Sequence, residues 1–236
     1  MAVFALTGAV AYVGGYDLSG DLIGTSIEGT VETNDIDTTT FASGGWHERI
    51  SGLHDVKLSG EGLLTYTTTS ESTLFGTTSV QPIIIAPTGT QGDAAELFRA
   101  VRTSIGYPET VGDAAKAKLD FAGSGQWVRG TMLTSKAEGV TNGNGTVTSI
   151  GATATTSKLY AVLQVFSVGT NVNVSIASGS TSGFGDATTR IQFDTATAVG
   201  AQWGTPLAGP VTDTYYRVTA TSTGGAPSIA VGIGIL

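Results

Sequence analysis

Apolar and polar residues alternate with a period of two along most of this chain, the pattern of strands with one dry and one wet face. Gly24 to Thr33 sets Ile27, Gly29 and Val31 against Glu28, Thr30 and Glu32, and Asp55 to Gly62 sets Val56 and Leu58 against Asp55, Lys57, Ser59 and Glu61. Asn171 to Ala177 repeats it, with Val172, Val174 and Ile176 inward and Asn171, Asn173 and Ser175 outward. The same reasoning predicts strands near Ala115 to Phe121 and Gln126 to Thr134, joined at Gly123-Ser124-Gly125. It then predicts Thr146 to Ile150, Leu159 to Val168, Arg190 to Thr195, Tyr215 to Ser222 and Ser228 to Leu236. Leu159 to Val168 is apolar on both faces and reads as a central strand. The apolar opening, Met1 to Val13, reads as a first strand because it lacks the basic region of a signal peptide. One segment departs from period two: Leu97, Phe98, Val101 and Ile105 fall on a helical stripe, with Glu96, Arg99 and Arg102 pointing away. Asp93 as N-cap and Gly106 with Pro108 as the stop complete the expectation of a single short α-helix.

Two polar stretches, Asn34 to Gly45 and Thr65 to Thr78, are too long for simple hairpin turns, and long loops on a β scaffold usually carry contacts. Around Glu138 to Gly145, two Asn-Gly pairs and a loss of apolar periodicity read as a linker. Charge changes at the same place. Residues 1 to 140 hold 16 acidic and 8 basic side chains, whereas residues 141 to 236 hold 3 of each. Two units are therefore expected, 1–140 and 141–236, the second folding as a separate outer sandwich.

Composition agrees with strands. The 34 Gly against 6 Pro, with only 13% charged residues, describe many short strands joined by tight turns, and an all-helical fold is excluded. The net charge of −8 has the wrong sign for gripping nucleic acid through phosphates. There is no Cys, which removes disulfides, thiolate nucleophiles and Cys-based zinc sites. The longest apolar stretches, Ile83 to Ala86 and Ile229 to Leu236, fall far short of the roughly 20 residues of a spanning helix, so no membrane partner is expected.

Chemistry is sparse. His47 and His54 are seven apart, not the four that places two ligands on one helix face. Gly179-Ser180-Thr181-Ser182-Gly183 has Thr where a nucleophile elbow needs Ser, and no phosphate loop or dinucleotide fingerprint occurs. Asp35/Asp37 and Glu28/Glu32 are the nearest carboxylate pairs to a glycosidase dyad or calcium site, yet Glu28 and Glu32 read as a wet sheet face. Trp46, Trp127 and Trp203 are scattered and read as core or interface residues. The expectation is a protein that is not an enzyme and needs no cofactor and no metal.

A resemblance adds to this. Tyr16-Asp17-Leu18-Ser19-Gly20-Asp21-Leu22, an alternating strand, Asp35-Ile36-Asp37-Thr38-Thr39, Ile50-Ser51-Gly52-Leu53 and Val56-Lys57-Leu58-Ser59-Gly60-Glu61-Gly62 follow in an order that resembles the major tail tube proteins of long-tailed (siphovirus-type) bacteriophages. Gln126-Trp127-Val128-Arg129-Gly130-Thr131, Lys158 to Leu163, Thr189 to Phe193, Gln202-Trp203 and Tyr215 to Val218 look like the tail proteins of that group that carry an added outer β-sandwich. The resemblance implies an all-β fold with one short α-helix: a tail-tube-type β-sandwich or barrel over 1–140, then a jelly-roll or Ig-like sandwich over 141–236. It implies a structural virion protein that self-assembles into stacked rings, hexameric or pseudo-sixfold trimeric, forming the tube through which the genome is delivered. Its partners would be copies of itself, the tape measure protein and other tail proteins. DNA would pass without specific binding, and the virion tail would be assembled in the host bacterial cytoplasm.

Under that resemblance the acids Glu28, Glu32, Asp55 and Glu61 line the channel. Thr67, Thr68, Thr69, Ser70, Glu71, Ser72, Thr73, Leu74 and Phe75 form an inter-subunit loop. The charge split fits, since a channel in which DNA slides is best acidic and non-adhesive. A capsid decoration or head-tail joining protein shares the same composition, and a carbohydrate-binding module would gather the acidic and aromatic residues in one cleft.

Overall fold

The computed structural model describes residues 9–20, 22–31, 54–63, 77–106, 116–137, 140 and 142–236. These residues hold β1 (Val10–Val13), β2 (Tyr16–Asp17), β3 (Leu22–Val31), β4 (His54–Leu63), β5 (Gln81–Ala86), β6 (Ala94–Gly106), β7 (Lys116–Gly123) and β8 (Val128–Thr134). They continue with β9 (Gly143–Asn144), β10 (Thr148–Ser149), β11 (Lys158–Ser167), β12 (Asn171–Gly179), β13 (Thr188–Gln192), β14 (Gly200–Trp203), β15 (Leu207–Ala208), β16 (Tyr215–Thr223) and β17 (Ser228–Ile235). Every strand pair is antiparallel.

The strands form a nearly closed barrel flanked by sheet on two sides. The barrel follows the order β14-β11-β17-β8-β6-β5-β1-β2. Tyr12, Ile84, Ala95, Leu97, Val128, Met132, Tyr160, Val162 and Ala230 form the cluster that fills it. On β17 the inward positions are Ala230, Gly232 and Gly234, and a Cβ on Gly232 would stand 2.5 Å from Leu97 Cδ2. Small residues there let large ones from β6 and β11 occupy the narrow interior.

The ends of the barrel path are tied by Gln164, which is fully buried on β11. Gly15 N donates to its Oε1 at 2.7 Å, and its Nε2 donates to the Pro82 carbonyl at 2.8 Å. Gly15, at φ +88°, lies so close to Gly200 that a Cβ would be 2.4 Å from the Gly200 nitrogen. Arg99 stacks over Trp203 at 5.4 Å and Lys136 pairs with Asp17 at 2.7 Å, reinforcing the same closure.

Strands β3, β4 and β7 continue from the C-terminal half of β6 and cover the outside of β1, β5 and β6, enclosing Ala11, Val13, Leu18, Val56, Leu58, Ile83, Phe98, Ala100 and Phe121. On the other side, β9, β10, β12, β13 and β16 form a five-stranded sheet. It packs on the outward residues of β11 and β17, among them Leu159, Leu163, Val165, Ile229, Val231 and Ile233, through its own Val172, Val174, Ile176, Tyr216 and Val218. This explains the runs that are apolar on both faces. In β11 and β17, odd-numbered residues face the flanking sheet and even-numbered ones the barrel, so both parities are dry.

One expectation needs correction. No helix is present among the described residues, and the segment assigned to one, 93–105, is the long strand β6. Leu97 points into the barrel while Phe98 enters the flanking core, and a strand buried on both faces mimics a helical stripe. Backbone pairing with β5, β7 and β8 supplies long-range bonds that outweigh local helix preference. Strand pairing and core packing also run across residue 140. β17 pairs with β8 from Gly130↔Gly234 to Thr134↔Val231, and Leu133 sits in the core formed mostly by residues after 158. The barrel needs strands from both sides of the charge boundary.

The other strand expectations agree with the structure within a few residues, except that of the first, Met1 to Val13, only Val10–Val13 is a strand here and residues 1–8 lie outside the described residues. Val172, Val174 and Ile176 are fully buried, as the alternation required. β5 was legible only as an apolar run, because both its faces are covered.

Candidate assembly surface

Of the residues expected to line a channel, Glu28, Asp55 and Glu61 belong to the sheet β3-β4-β7-β6. Register sets Glu28 opposite Lys57, Thr30 opposite Asp55, Ser26 opposite Ser59 and Gly24 opposite Glu61. On the next strand, Ser59 faces Asp120 and Glu61 faces Lys118. Val56, Leu58 and Phe121 are buried beneath, while Lys57, Glu61 and Lys118 are exposed on the outer side. Three of the four expected acids, Glu28, Asp55 and Glu61, are thus on two paired strands. Glu32, the loop from Thr67 to Phe75, His47, Asp35 and Asp37 lie outside the described residues.

Pattern reading overlooked the centre of this face. Asp120 accepts from Ser59 Oγ at 2.6 Å and from Ser104 Oγ at 2.7 Å, joining β4, β7 and β6 in one row, with Lys118 Nζ 3.7 Å away. Hydrogen bonds from Ser59 and Ser104, helped by the Lys118 charge and opposed by slight burial, hold its carboxyl below the ordinary value. The signal was available in Lys118-Leu119-Asp120-Phe121, which alternates cleanly. The face is therefore a mixed lattice, with Lys57 and Lys118 beside the acids.

Among the described residues the same sheet ends at β3. β3 is ten residues long and pairs with β4 alone among the described residues. An unpaired edge of that length offers a row of backbone donors and acceptors to another strand.

A second polar cluster lies in the flanking five-stranded sheet. Ser178, fully buried, donates to Asp213 Oδ2 at 2.6 Å, and Arg190 donates to Ser178 Oγ at 2.7 Å and to Asp213 Oδ2 at 2.8 Å. The Ser178 hydroxyl proton is engaged by the Asp213 carboxylate. The cluster fastens β12, β13 and the chain entering β16. Hydrogen bonds from Ser178 and then Arg190 hold the Asp213 carboxyl below its ordinary value. A carboxylate with a lowered folded-state pKa stabilises the fold above its unfolded pKa, and that contribution is lost as pH falls through the folded value. Asp213→Asn is therefore expected to lower stability by about 1–2 kcal/mol near neutral pH. The difference from the parent should shrink below about pH 4 as Asp213 itself protonates. Urea melts across pH check this; a difference independent of pH would show that the charge of Asp213 contributes nothing.

Among the described residues, no three His, Asp or Glu side chains come together as a metal site. Trp127, partly exposed, donates through Nε1 to Glu96 at 2.7 Å, and Trp203 supports the barrel closure, so neither stands in an acidic cleft.

No protein-family model matches the chain, and no curated protein matches it. Among solved structures it is similar to a chain in the virion of a native gene transfer agent particle, with 24% identity over 50% of this chain and 92% of that one and a TM-score of 0.39. It is also similar to a chain in the tail of an empty gene transfer agent particle of C6 symmetry, with 23% identity over 49% and 92% and a TM-score of 0.39. The SPP1 Dit protein, described as a hub of the adsorption apparatus in phages infecting Gram-positive bacteria, aligns over 97% of this chain and 99% of its own at 14% identity and a TM-score of 0.36. At TM-scores below 0.5 these likenesses fix neither the fold nor the role of this chain.

Proposed function

We propose that this chain is a structural protein of a phage tail that associates with copies of itself into stacked rings, forming the tube through which the genome is delivered. The observation that carries the reading is the ten-residue strand β3, which among the described residues pairs with β4 alone, on a sheet whose outer face carries the exposed Lys57, Glu61 and Lys118. An edge strand extends a sheet from one copy to the next, and repetition of that contact around an axis closes a ring. Stacking rings head to tail is a heterologous contact that does not close, which gives a tube. The ordered resemblance of residues 16–62 to tail tube proteins supports the same reading.

In this arrangement β3 and β4 face the channel, with Glu28, Glu32, Asp55 and Glu61 toward passing DNA and Lys57 and Lys118 tempering the field. The loop from Thr67 to Phe75 reaches the neighbouring subunit, and the five-stranded sheet faces outward. Tape measure and other tail proteins are the further partners, and the virion is the location.

Negative-stain microscopy of the purified protein tests the reading. Hollow tubes are expected from the full chain, and a folded monomer that does not polymerise from a variant lacking residues 67–77. Discrete particles that bind capsids would favour a decoration or head-tail joining role. Tubes formed equally well by the deletion variant would remove the loop from the contact, and density placing β3 and β4 on the outer wall would overturn the channel assignment.

A further inference from the structure

The chain's two Asn-Gly pairs, Asn142-Gly143 and Asn144-Gly145, follow one another at the side of β16, where β9 pairs with that strand alone among the described residues. Glycine after asparagine leaves the peptide nitrogen unshielded, so that nitrogen can approach and attack the carbon of the side-chain amide. As electrophiles the two amides are alike. Asn142 Oδ1 accepts from Ser222 N at 2.7 Å and Asn144 Oδ1 accepts from Thr219 Oγ1 at 2.9 Å, so each carbonyl is polarised by one donor. Both side chains are exposed.

The nucleophiles differ. Gly145 N donates to Val218 O at 2.8 Å, and a Cβ on Gly145 would stand 3.0 Å from Val140 Cγ2, so this nitrogen is both bonded and covered. The chain beyond it is fastened again, because Gln91 Nε2 donates to Thr146 O at 2.8 Å and to Thr148 Oγ1 at 3.0 Å. Gly143 is the first residue of the two-residue strand β9, opposite Ala220, and a Cβ built on it meets nothing within 4 Å. The end of so short a strand opens at little cost. Asn142 itself is tied by the Ser222 N bond and by a long one, Nδ2 to Ser222 O at 3.4 Å.

We propose that Asn142 is a site of spontaneous deamidation and that the fold protects its neighbour Asn144. As β9 frays, Gly143 N gives its proton to hydroxide and attacks Asn142 Cγ. The N–Cγ bond forms, the Cγ–Nδ2 bond breaks, and Nδ2 leaves as ammonia after taking a proton from water. Water then opens the cyclic imide at one or the other carbonyl, giving aspartate or isoaspartate, and nothing is oxidised or reduced. Either product replaces the Nδ2 donor with a carboxylate oxygen beside the Ser222 carbonyl. Isoaspartate also adds a methylene to the backbone, which shifts Gly143 out of register with Ala220. Residues 141 to 236 hold 3 acidic and 3 basic side chains, so each event gives this neutral half an extra negative charge. The inference is independent of whether the chain forms rings.

Peptide mapping by mass spectrometry tests this, on the full-length protein incubated in warm, mildly alkaline buffer. Conversion at Asn142 is expected to run about tenfold faster than at Asn144, or more, the factor supplied by one further hydrogen bond that must open. In concentrated urea, where the fold protects neither site, the two should convert at comparable rates. Asn142→Gln should abolish the fast conversion and leave Asn144 as slow as in the parent. Anion-exchange chromatography of the folded parent should show a more acidic species growing at the rate measured for Asn142. Equal rates at the two sites in the folded protein, or faster conversion at Asn144, would overturn the proposal. So would an Asn142 that stays intact in the folded protein over a period in which the urea-unfolded chain is converted.

Discussion

A chain ended at Glu138 is expected to be insoluble or to lack a cooperative melting transition. Such a chain loses β11, β14 and β17, and with them one wall of the barrel. Tyr12, Ile84, Leu97, Val128 and Met132, all at most 3% exposed, would line an open trough, and Leu133 would face water on the other side. Each large apolar side chain moved from full burial to solvent costs about 1.5–3 kcal/mol. Six of them approach or exceed the whole stability of a typical domain, about 5–15 kcal/mol. The bonds that β8 makes to β17 are lost as well. Soluble fraction, far-UV circular dichroism and a thermal melt decide the matter. A truncated chain that is soluble and melts cooperatively would show that 1–138 is an independent domain after all.

The second large effect is expected at Gln164. Replacing it with Leu preserves the approximate volume but removes both ends of the clasp between β11, the β1–β2 turn and β5. Gly15 N loses its buried acceptor. Pro82 O keeps only the longer bond from Gly14 N at 3.2 Å. An orphaned buried backbone group costs about 1–3 kcal/mol, so Gln164→Leu should destabilise by about 2–4 kcal/mol. At this chain length that corresponds to roughly 5–15 °C in Tm. Calorimetry checks it, and a Tm within a degree or two of the parent's would mean that the barrel ends are held by other contacts.

How much of this was legible in the sequence depends on how many faces of a strand are buried. β3, β4, β12 and β16 each have alternating polar positions, and their boundaries could be read from period two. β6 could not, because Leu97 and Phe98 serve two different cores and leave no wet face over that stretch. The sharing of one barrel by both halves was hidden for a different reason. Net charge changes at residue 140, but strand pairing is a property of backbone register, and β8 meets β17 across about a hundred residues of intervening chain. In the candidate surface, the acids of β3 and β4 were found by alternation. Asp120 and Lys118 were missed because their neighbours on β4 and β6 are distant in sequence and only the sheet brings them together.

The pairing of β8 with β17 also sets a schedule for synthesis. At roughly 5–20 residues per second, about 5–20 s separate the emergence of residue 134 from that of its partner near 231. Throughout that interval the apolar interior of the incomplete barrel has no cover of its own, and β8 is an open edge beside other nascent chains. The strand that joins the two parts of the barrel path is β17, between β11 and β8. The barrel cannot close until β17 has emerged, so the order of residues itself delays completion of the fold.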